Sequence, residues 1–516
     1  PSFANNDTLD AFLTGVNMDS SANKETEISE GVNVEFDLNF SRLVSAKIKI
    51  GNKYRTKKRY YDRFRRISTL SLGSGQNARD QILKTYPEMQ TWSGLGTQFL
   101  SLLGFMDYNY QPVNFLNGNY ELGPVSDVSL LEGVYELLLP HDVMRNDWSA
   151  SLLNDYSGNE EYSARYVMVD FNIGSRINFI TGGRYEKNIT TYTSTQGYAG
   201  ISSWMEYSSN RVTHVRKNEF WLPTYMLRVR PTDWFDIRFA QTNTLSRPNY
   251  SQILPFWYIT STSVSWKNAD LKAARSLNND LYFSVNQQYI GFLTLGVFTK
   301  RIEDLIFSVG KKLIIDPAEY GLDEDQKLKF INGVTMNNPY PVQIRGMEID
   351  WQTRFWYLPG FWNGFVLNMN YTYIHSEAQY PRTEIMTTYF FEPSFRAEMT
   401  NVDTFYTDRI IDQPNNIANL AIGYDRKGFS ARLSMLHISE VFQRTDFWKE
   451  LRQSTDGYTR WDLSVKQDLP WYGLQIYGNV NNITGSVDRN LVRGKGFPSS
   501  EQHYGRTADI GLRLRL

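Results

Sequence analysis

The feature that most constrains this chain is a strict two-residue alternation of apolar and polar side chains, repeated over many short segments. Residues 365–373 put Phe365, Leu367, Met369, Tyr371 and Tyr373 on one face and Asn368, Asn370 and Thr372 on the other. Residues 347–355 set Met347, Ile349, Trp351 and Phe355 against Glu348, Asp350, Gln352 and Arg354. The same pattern recurs at 235–242 and in the last segment, where Ala508, Ile510, Leu512, Leu514 and Leu516 oppose Asp509, Arg513 and Arg515. Successive side chains of a strand point to opposite faces, so each segment has one greasy face and one wet face.

A soluble sandwich shows the same period, and the connections decide between the two. Fifteen strands are predicted to start near 31, 46, 162, 175, 220, 235, 277, 291, 343, 365, 416, 429, 459, 474 and 504. Tight turns at Phe40–Ala46, Asn172–Arg176, Pro231–Phe235, Gln287–Gly291, Leu358–Gly364, Tyr424–Phe429 and Asp468–Gly473 interleave with long connections. The long ones lie at roughly 60–160, 190–218, 248–275, 305–341, 376–414, 443–458 and 486–503. A transmembrane antiparallel β-barrel sorts its connections in this way, with short turns on one side of the membrane and long loops on the other. The turns also carry Trp234, Trp356, Tyr357, Trp362, Trp471 and Tyr472, rings suited to the membrane–water boundary. The expected fold is an all-β transmembrane barrel, with Leu516 on the periplasmic side and the long loops extracellular.

Composition narrows the function. Lys and Arg number 54 against 55 Asp and Glu, so no basic excess exists to neutralise nucleic-acid phosphates. With no cysteine, a thiolate zinc site and a cysteine nucleophile are excluded. The histidines His141, His214, His375, His437 and His503 stand singly, without metal-ligand spacing. Nothing reads as a catalytic carboxylate pair or a nucleophile–His–acid set, so neither an enzyme nor a cofactor is expected. Fifteen is an odd count, and an open sheet in lipid leaves edge groups unpaired. Residues 1–28 are polar and alternate poorly. Residues 1–30 are therefore read as the tail of an extracellular loop, 31–516 as barrel, and the barrel as incomplete at its N-terminal side; the absence of an initiator Met before Pro1 agrees.

Residues 222–255 (LPTYMLRVRPTDWFDIRFAQTNTLSRPNYSQILP) resemble the barrel of TonB-dependent outer-membrane receptors, especially of the Bacteroidetes type. NADLKAARSLNNDL at 268–281 is similar to a recurrent loop-to-strand segment of that family, with Ala269, Ala273 and Ala274 departing from it. ITGGRYE at 180–186 and YGRTADIGLRLRL at 504–516 resemble the same family. The resemblance implies a 22-stranded barrel around an N-terminal plug, of which this chain would hold the last fifteen strands. It also implies energy-driven import of a scarce solute (iron chelate, oligosaccharide, peptide or cobalamin) through the TonB coupling complex, which would act on the plug. Outer-membrane lipid and lipopolysaccharide are further expected partners, and a surface lipoprotein lid or other envelope subunits are candidates. Two alternatives stay open: a structural or docking subunit of an envelope complex, and a passive porin of sixteen strands.

Two groups of residues are candidates for contact. Arg247, Asn249, Trp257, Tyr258 and Trp266 combine directed donors with aromatic faces after the sixth strand, a set suited to a polyhydroxylated or chelate-type solute. The basic run Lys53, Arg55, Lys57, Lys58, Arg59, Arg63, Arg65, Arg66 rises with the second strand. Lys57, Lys58, Arg59 and Arg63 are its candidate contacts to lipopolysaccharide, against the plain alternative of a solvated loop. The 60–160 connection is too long for a turn and contains apolar, helix-compatible pieces at Phe99–Met106 and Val128–Leu139, with Asp142–Asp155 after them and a further possible helix at Ala78–Thr85. Gly73–Ala78 fits GxGxxA but lacks a surrounding βαβ unit, and Gly494-Lys495 lacks the rest of a phosphate-binding loop.

Overall fold

The computed structural model describes residues 12–13, 15–69, 76–90, 100–101, 105–107, 109–110, 125–139, 144–152, 155–198, 209–471, 473–494 and 497–514. Fifteen strands pair antiparallel, each with its neighbour in sequence. They are β1 (Gly15–Asn39), β2 (Val44–Thr69), β3 (Tyr156–Ile173), β4 (Ile177–Tyr198) and β5 (Ser209–Thr232). Next come β6 (Phe235–Ser246), β7 (Ala274–Gln287), β8 (Gly291–Glu303), β9 (Val342–Arg354) and β10 (Phe365–Phe390). The wall ends with β11 (Asn416–Arg426), β12 (Phe429–Ile438), β13 (Tyr458–Asp468), β14 (Leu474–Asn481) and β15 (Thr507–Leu514). No pairing joins β1 to β15 among the described residues, and both strands are exposed along most of their length.

Register turns the sequence alternation into a belt. One row of Cα partners crosses ten strands as Leu38, Ala46, Phe171, Phe179, Leu227, Phe239, Leu281, Val297, Met347 and Tyr373. A second row continues as Leu367, Ile422, Leu433, Leu463, Val480 and Ala508. Every member is apolar or aromatic, which marks this face as the one that meets acyl chains. The opposite face is wet. Asn178 there donates to Asp170, Tyr282 to Glu348 at 3.0 Å, and Asp236 accepts from Arg228, Arg230 and Arg238.

The tight turns hold the near end of the wall. Lys427 and Gly428 both take positive φ (49° and 78°), the two-residue geometry whose twist matches the flanking strands. Trp234, Trp356, Trp362 and Trp471 stand exposed at this end, and Trp356 Nε1 donates to the Gln288 carbonyl at 3.3 Å. Tyr472 lies outside the described residues.

At the far end the strands outrun the belt. β1 and β2 span 25 and 26 residues, whereas crossing a bilayer takes about 9–11 tilted residues. Residues 15–30, expected as loop, are paired strand: above the belt both faces are wet, so no alternation betrays the strand. The 376–414 connection is likewise a hairpin, β10 continuing to Phe390 and returning as Arg396–Asp408. In the 60–160 connection, α1 (Gln76–Thr85) and α2 (Val128–Leu138) occur as expected, followed by the short α3 (Trp148–Leu152). The Phe99–Met106 piece is not a helix where it is described. Leu100–Ser101 pairs as strand with Phe12–Leu13 and Met106 bridges to Ser126, while Leu100 and Phe105 bury against Ile82 of α1 and Val134 and Leu138 of α2.

The main core sits on the inward face of the far end. Phe298, Ile344, Ala378 and Tyr380 occupy inward wall positions and pack with the hairpin Ile306–Leu313/Phe330–Asn337 and with Phe442. Trp257–Ile259 and Ser263–Trp266 bridge that hairpin to the end of β4, through parallel pairs at Ser263–Phe330 and Trp257–Gln196. The loops therefore fold into the mouth of the wall.

The segment carrying α3 is clamped to β2: Arg65 N–H donates to Ser151 Oγ at 2.9 Å and Arg63 N–H to Asp155 Oδ1 at 2.8 Å. Burial pushes the Asp155 carboxyl up to about 6, and Asp62 adds repulsion, while the Arg63 N–H works the other way. A carboxyl raised above its unfolded value near 3.9 favours the fold when protonated. Its contribution is complete below that pH and lost as pH rises toward 6, about 1–3 kcal/mol in all. Hydrogen-exchange protection of residues 147–155 should fall across pH 4 to 6 and stay level in Asp155→Asn; a level profile in the unsubstituted protein would contradict the assignment.

Candidate functional site in the inward wall

The inward face of β2–β5 carries successive rows of polar side chains. One row runs Ser29, Arg55, Tyr162, Asn188, Asn218; the next runs Glu27, Lys57, Glu160, Thr190, Arg216; the third runs Glu25, Arg59, Gly158, Tyr192, His214. Each row is fixed by the period-two rule: one residue along any of these strands, the side chain would turn to the outward face. Gly158 has no side chain for a reason, since a Cβ there would come 2.1 Å from Cε1 of the Tyr192 ring.

Glu186 is the hub. It is 6% exposed and accepts from Tyr162 Oη at 2.6 Å, from Arg184 Nε at 2.5 Å and from Arg247. Arg247 also lies over the Tyr162 ring, 5.5 Å from its centroid, and Arg55 lies 5.3 Å from the same centroid. Higher in the wall Tyr192 donates to Glu160, and Arg59 lies 4.1 Å from the centre of the Tyr250 ring. Below the loop Tyr250–Gln252 a cavity of about 60 Å³ is lined by Arg55, Glu160, Asn188, Thr190, Arg216 and Arg247, among others. A larger concavity of about 590 Å³ opens on the outward face between Val34, Ile50, Val167, Gly183 and Trp221, where its walls are apolar and lipid-facing.

Of the five residues expected to contact solute, Arg247 alone reaches the Glu186 cluster and this cavity. Asn249 caps the turn Tyr250–Gln252, its N–H donating to Gln252 Oε1 at 2.8 Å. Trp257 packs edge-on to Tyr198 at 5.3 Å, and Trp266 Nε1 donates to the Tyr320 carbonyl at 3.0 Å. Tyr258 borders the cluster of Tyr156, Tyr192, Ile253 and Phe256. These partly exposed rings take part in packing the mouth.

The basic run also sorts by register. Lys57, Arg59 and Arg63 were expected on the lipopolysaccharide-facing side, but they share the inward face with Arg55. There Lys57 pairs with Glu25 and Glu27 at 2.8 and 2.7 Å, Arg59 with Glu25 at 3.2 Å, and Arg63 with Asp19 at 2.8 Å. Lys58, opposite Thr26 and Asn159, is the one of the four on the outward face. Alternation within a charged run carries no apolar contrast to show which residues turn inward. Glu186, Tyr162, Thr190 and Arg216, which were not among the expected contacts, share the inward parity of the 156–173, 177–198 and 209–232 strands, and that parity was their signal. Gly73–Gly75 of the GxGxxA match lie outside the described residues, and no metal-ligating cluster occurs among those described.

Residues 2–483 match the family described as TonB dependent receptor-like, beta-barrel. Among solved structures, the siderophore receptor PiuA from Acinetobacter baumannii superposes with a TM-score of 0.52 at 12% identity, over 95% of this chain and 56% of that one. The ferric-catecholate import receptor Fiu from K12 E. coli gives 0.53 at 10% identity, over 96% and 55%. The ferric citrate transporter FecA, unliganded, gives 0.51 at 11%, over 97% and 55%. The chain spans a little over half the length of these proteins. At such identities the likeness is one of fold. A comparison with curated proteins gives no match.

Removing the Glu186 carboxylate leaves Arg184 and Arg247 facing each other without it. Glu186→Ala should lower the unfolding free energy of the detergent-refolded protein by about 1.5–3 kcal/mol, and Glu186→Gln by less. A urea titration reads both, and an unchanged midpoint in Glu186→Ala would remove the hub role.

Proposed function

The chain belongs to the TonB-dependent receptor β-barrel family, and on that footing we propose that it forms the C-terminal part of an outer-membrane barrel that imports a scarce solute with energy supplied through TonB. The observation that carries this reading is the family match over residues 2–483. The loop end would face outward from the cell and capture the solute, and the turn end with its exposed tryptophans would sit at the periplasmic boundary. A plug and seven further strands, 22 less the 15 present, would complete the barrel between β15 and β1. The plug would carry the contact to the coupling complex, because a barrel of that width leaks unless it is filled and the filling must be moved.

The polar inward face supports a path for a hydrophilic solute, and the belt supports a lipid environment. The named neighbours are a siderophore receptor, a ferric-catecholate import receptor and a ferric citrate transporter. For this chain we carry over the coarser class, a scarce solute taken up by a transporter that performs no catalysis. A Bacteroidetes-type receptor, with a surface lipoprotein as lid, accords with the segments at 222–255 and 268–281. Lys58 is the remaining candidate of its group for lipopolysaccharide contact.

Cells expressing the full-length receptor should lose uptake of its solute when the proton gradient is collapsed. Uptake that continues at the same rate would reject energy coupling and favour the passive porin, and a receptor recovered only within an envelope assembly, with no uptake, would favour the docking role.

A further inference from the structure

Most cations of the inward wall have a carboxylate: Lys57 has Glu25 and Glu27, Arg59 has Glu25, and Arg184 and Arg247 share Glu186. Two do not. Among the described residues Arg55 and Arg216 form no ion pair; Arg55 rests over the Tyr162 ring, and Arg216 donates one N–H to the Leu271 carbonyl. Both guanidinium groups line the 60 Å³ cavity beneath Tyr250–Gln252, together with Arg247. Glu160 is the carboxylate that also lines it, and its charge is already engaged by the Tyr192 hydroxyl and by Arg59 at 3.9 Å. The cavity is therefore electropositive.

An independent observation concerns Thr190. Its side chain is 4% exposed, lines the same cavity and has no hydrogen-bond partner at Oγ1. A buried hydroxyl without a partner costs free energy, so its site calls for something to bind. Asn188, at 8% exposure, and Asn218 add carboxamides to the lining. The volume corresponds to roughly four to six water positions, or to one small oxyanion with a water beside it. Guanidinium groups present paired N–H donors that match the oxygens of a carboxylate or phosphate, and hydroxyl and carboxamide N–H complete such a shell.

We propose that this cavity is an oxyanion subsite for the imported solute: Arg55, Arg216 and Thr190 receive a carboxylate or phosphate group that the solute carries. The inference rests on the transport reading and adds to it the charge of the substrate. The group's charge supplies Arg55 and Arg216 with a direct ion-pair partner, where Glu27 and Asp270 act on them from beyond contact distance.

The full-length receptor in detergent is titrated calorimetrically with sodium acetate and, separately, with inorganic phosphate. One of the two should bind saturably, and which one identifies the group. Arg216→Gln and Arg55→Gln should each weaken that binding roughly tenfold or more, the scale of one charge-assisted hydrogen bond. Arg396→Gln, on the distant hairpin, should leave it unchanged. Gel migration of the unheated protein reports whether each variant is folded, and having two variants keeps the test alive if one is not. Absence of saturable binding by either anion, or binding unaltered in both folded variants, overturns the subsite. Gradient-dependent uptake without anion binding would remove this inference alone, whereas anion binding without gradient dependence would remove the transport reading instead.

Discussion

Hydrocarbon offers no hydrogen bonds, and that single constraint organises this chain. A backbone N–H or C=O left unpaired in lipid costs several kcal/mol, so the segments that cross must pair side by side along their length. Here each of fifteen strands pairs antiparallel with its sequence neighbour, and register then leaves no freedom about which side chains face out. Leu38, Ala46, Phe171, Phe179 and their partners fall in one row because a shift of one residue in any strand would drive Asp170 or Lys47 into the belt. Among the described residues, β1 and β15 each have a strand partner within the belt on one side only.

Above the belt water returns and the rules relax. Strands continue upward as paired ribbons, and one cluster of apolar residues is gathered inside the mouth. Phe307, Val334, Tyr380 and Phe442 pack there against the inward side of β8–β10. The neighbouring wall of β2–β5 is handled electrostatically, with carboxylates on Glu25, Glu27 and Glu186 matched to cations across strands. Two guanidinium groups and one hydroxyl depart from that matching around one cavity, and the proposed oxyanion subsite lies there.

What the sequence revealed follows the same division. Strands that leave a tight turn were placed to within a few residues, as at Phe235, Gly291, Phe365, Phe429 and Leu474, because each begins at the belt where alternation is sharpest. β11 begins at Asn416 as expected and β15 at Thr507 rather than near 504, but other strands that return from a loop begin earlier: β1 at Gly15 rather than near 31, and β5 at Ser209 rather than near 220. Their upper halves are polar on both faces and leave no periodic trace. The contact residues were harder still. Trp257 and Trp266 have the composition of a binding loop, yet they fill the mouth, and nothing local distinguishes a ring that packs from one that waits for a ligand. Lys57 and Lys58 are adjacent and chemically alike, but the parity set by Ile48 and Ile50 lower in the strand sends one inward and the other outward.

The most direct test of the account asks whether the two faces of one strand meet different solvents. Spin labels placed singly along 167–171 of β3, in full-length receptor reconstituted into bilayers, report collisions with oxygen from lipid and with a nickel chelate from water. Labels at Val167, Val169 and Phe171 should collide with oxygen, and labels at Met168 and Asp170 with the nickel chelate, in strict alternation. Equal accessibility at all five positions would contradict the belt, and with it the barrel and the inward site.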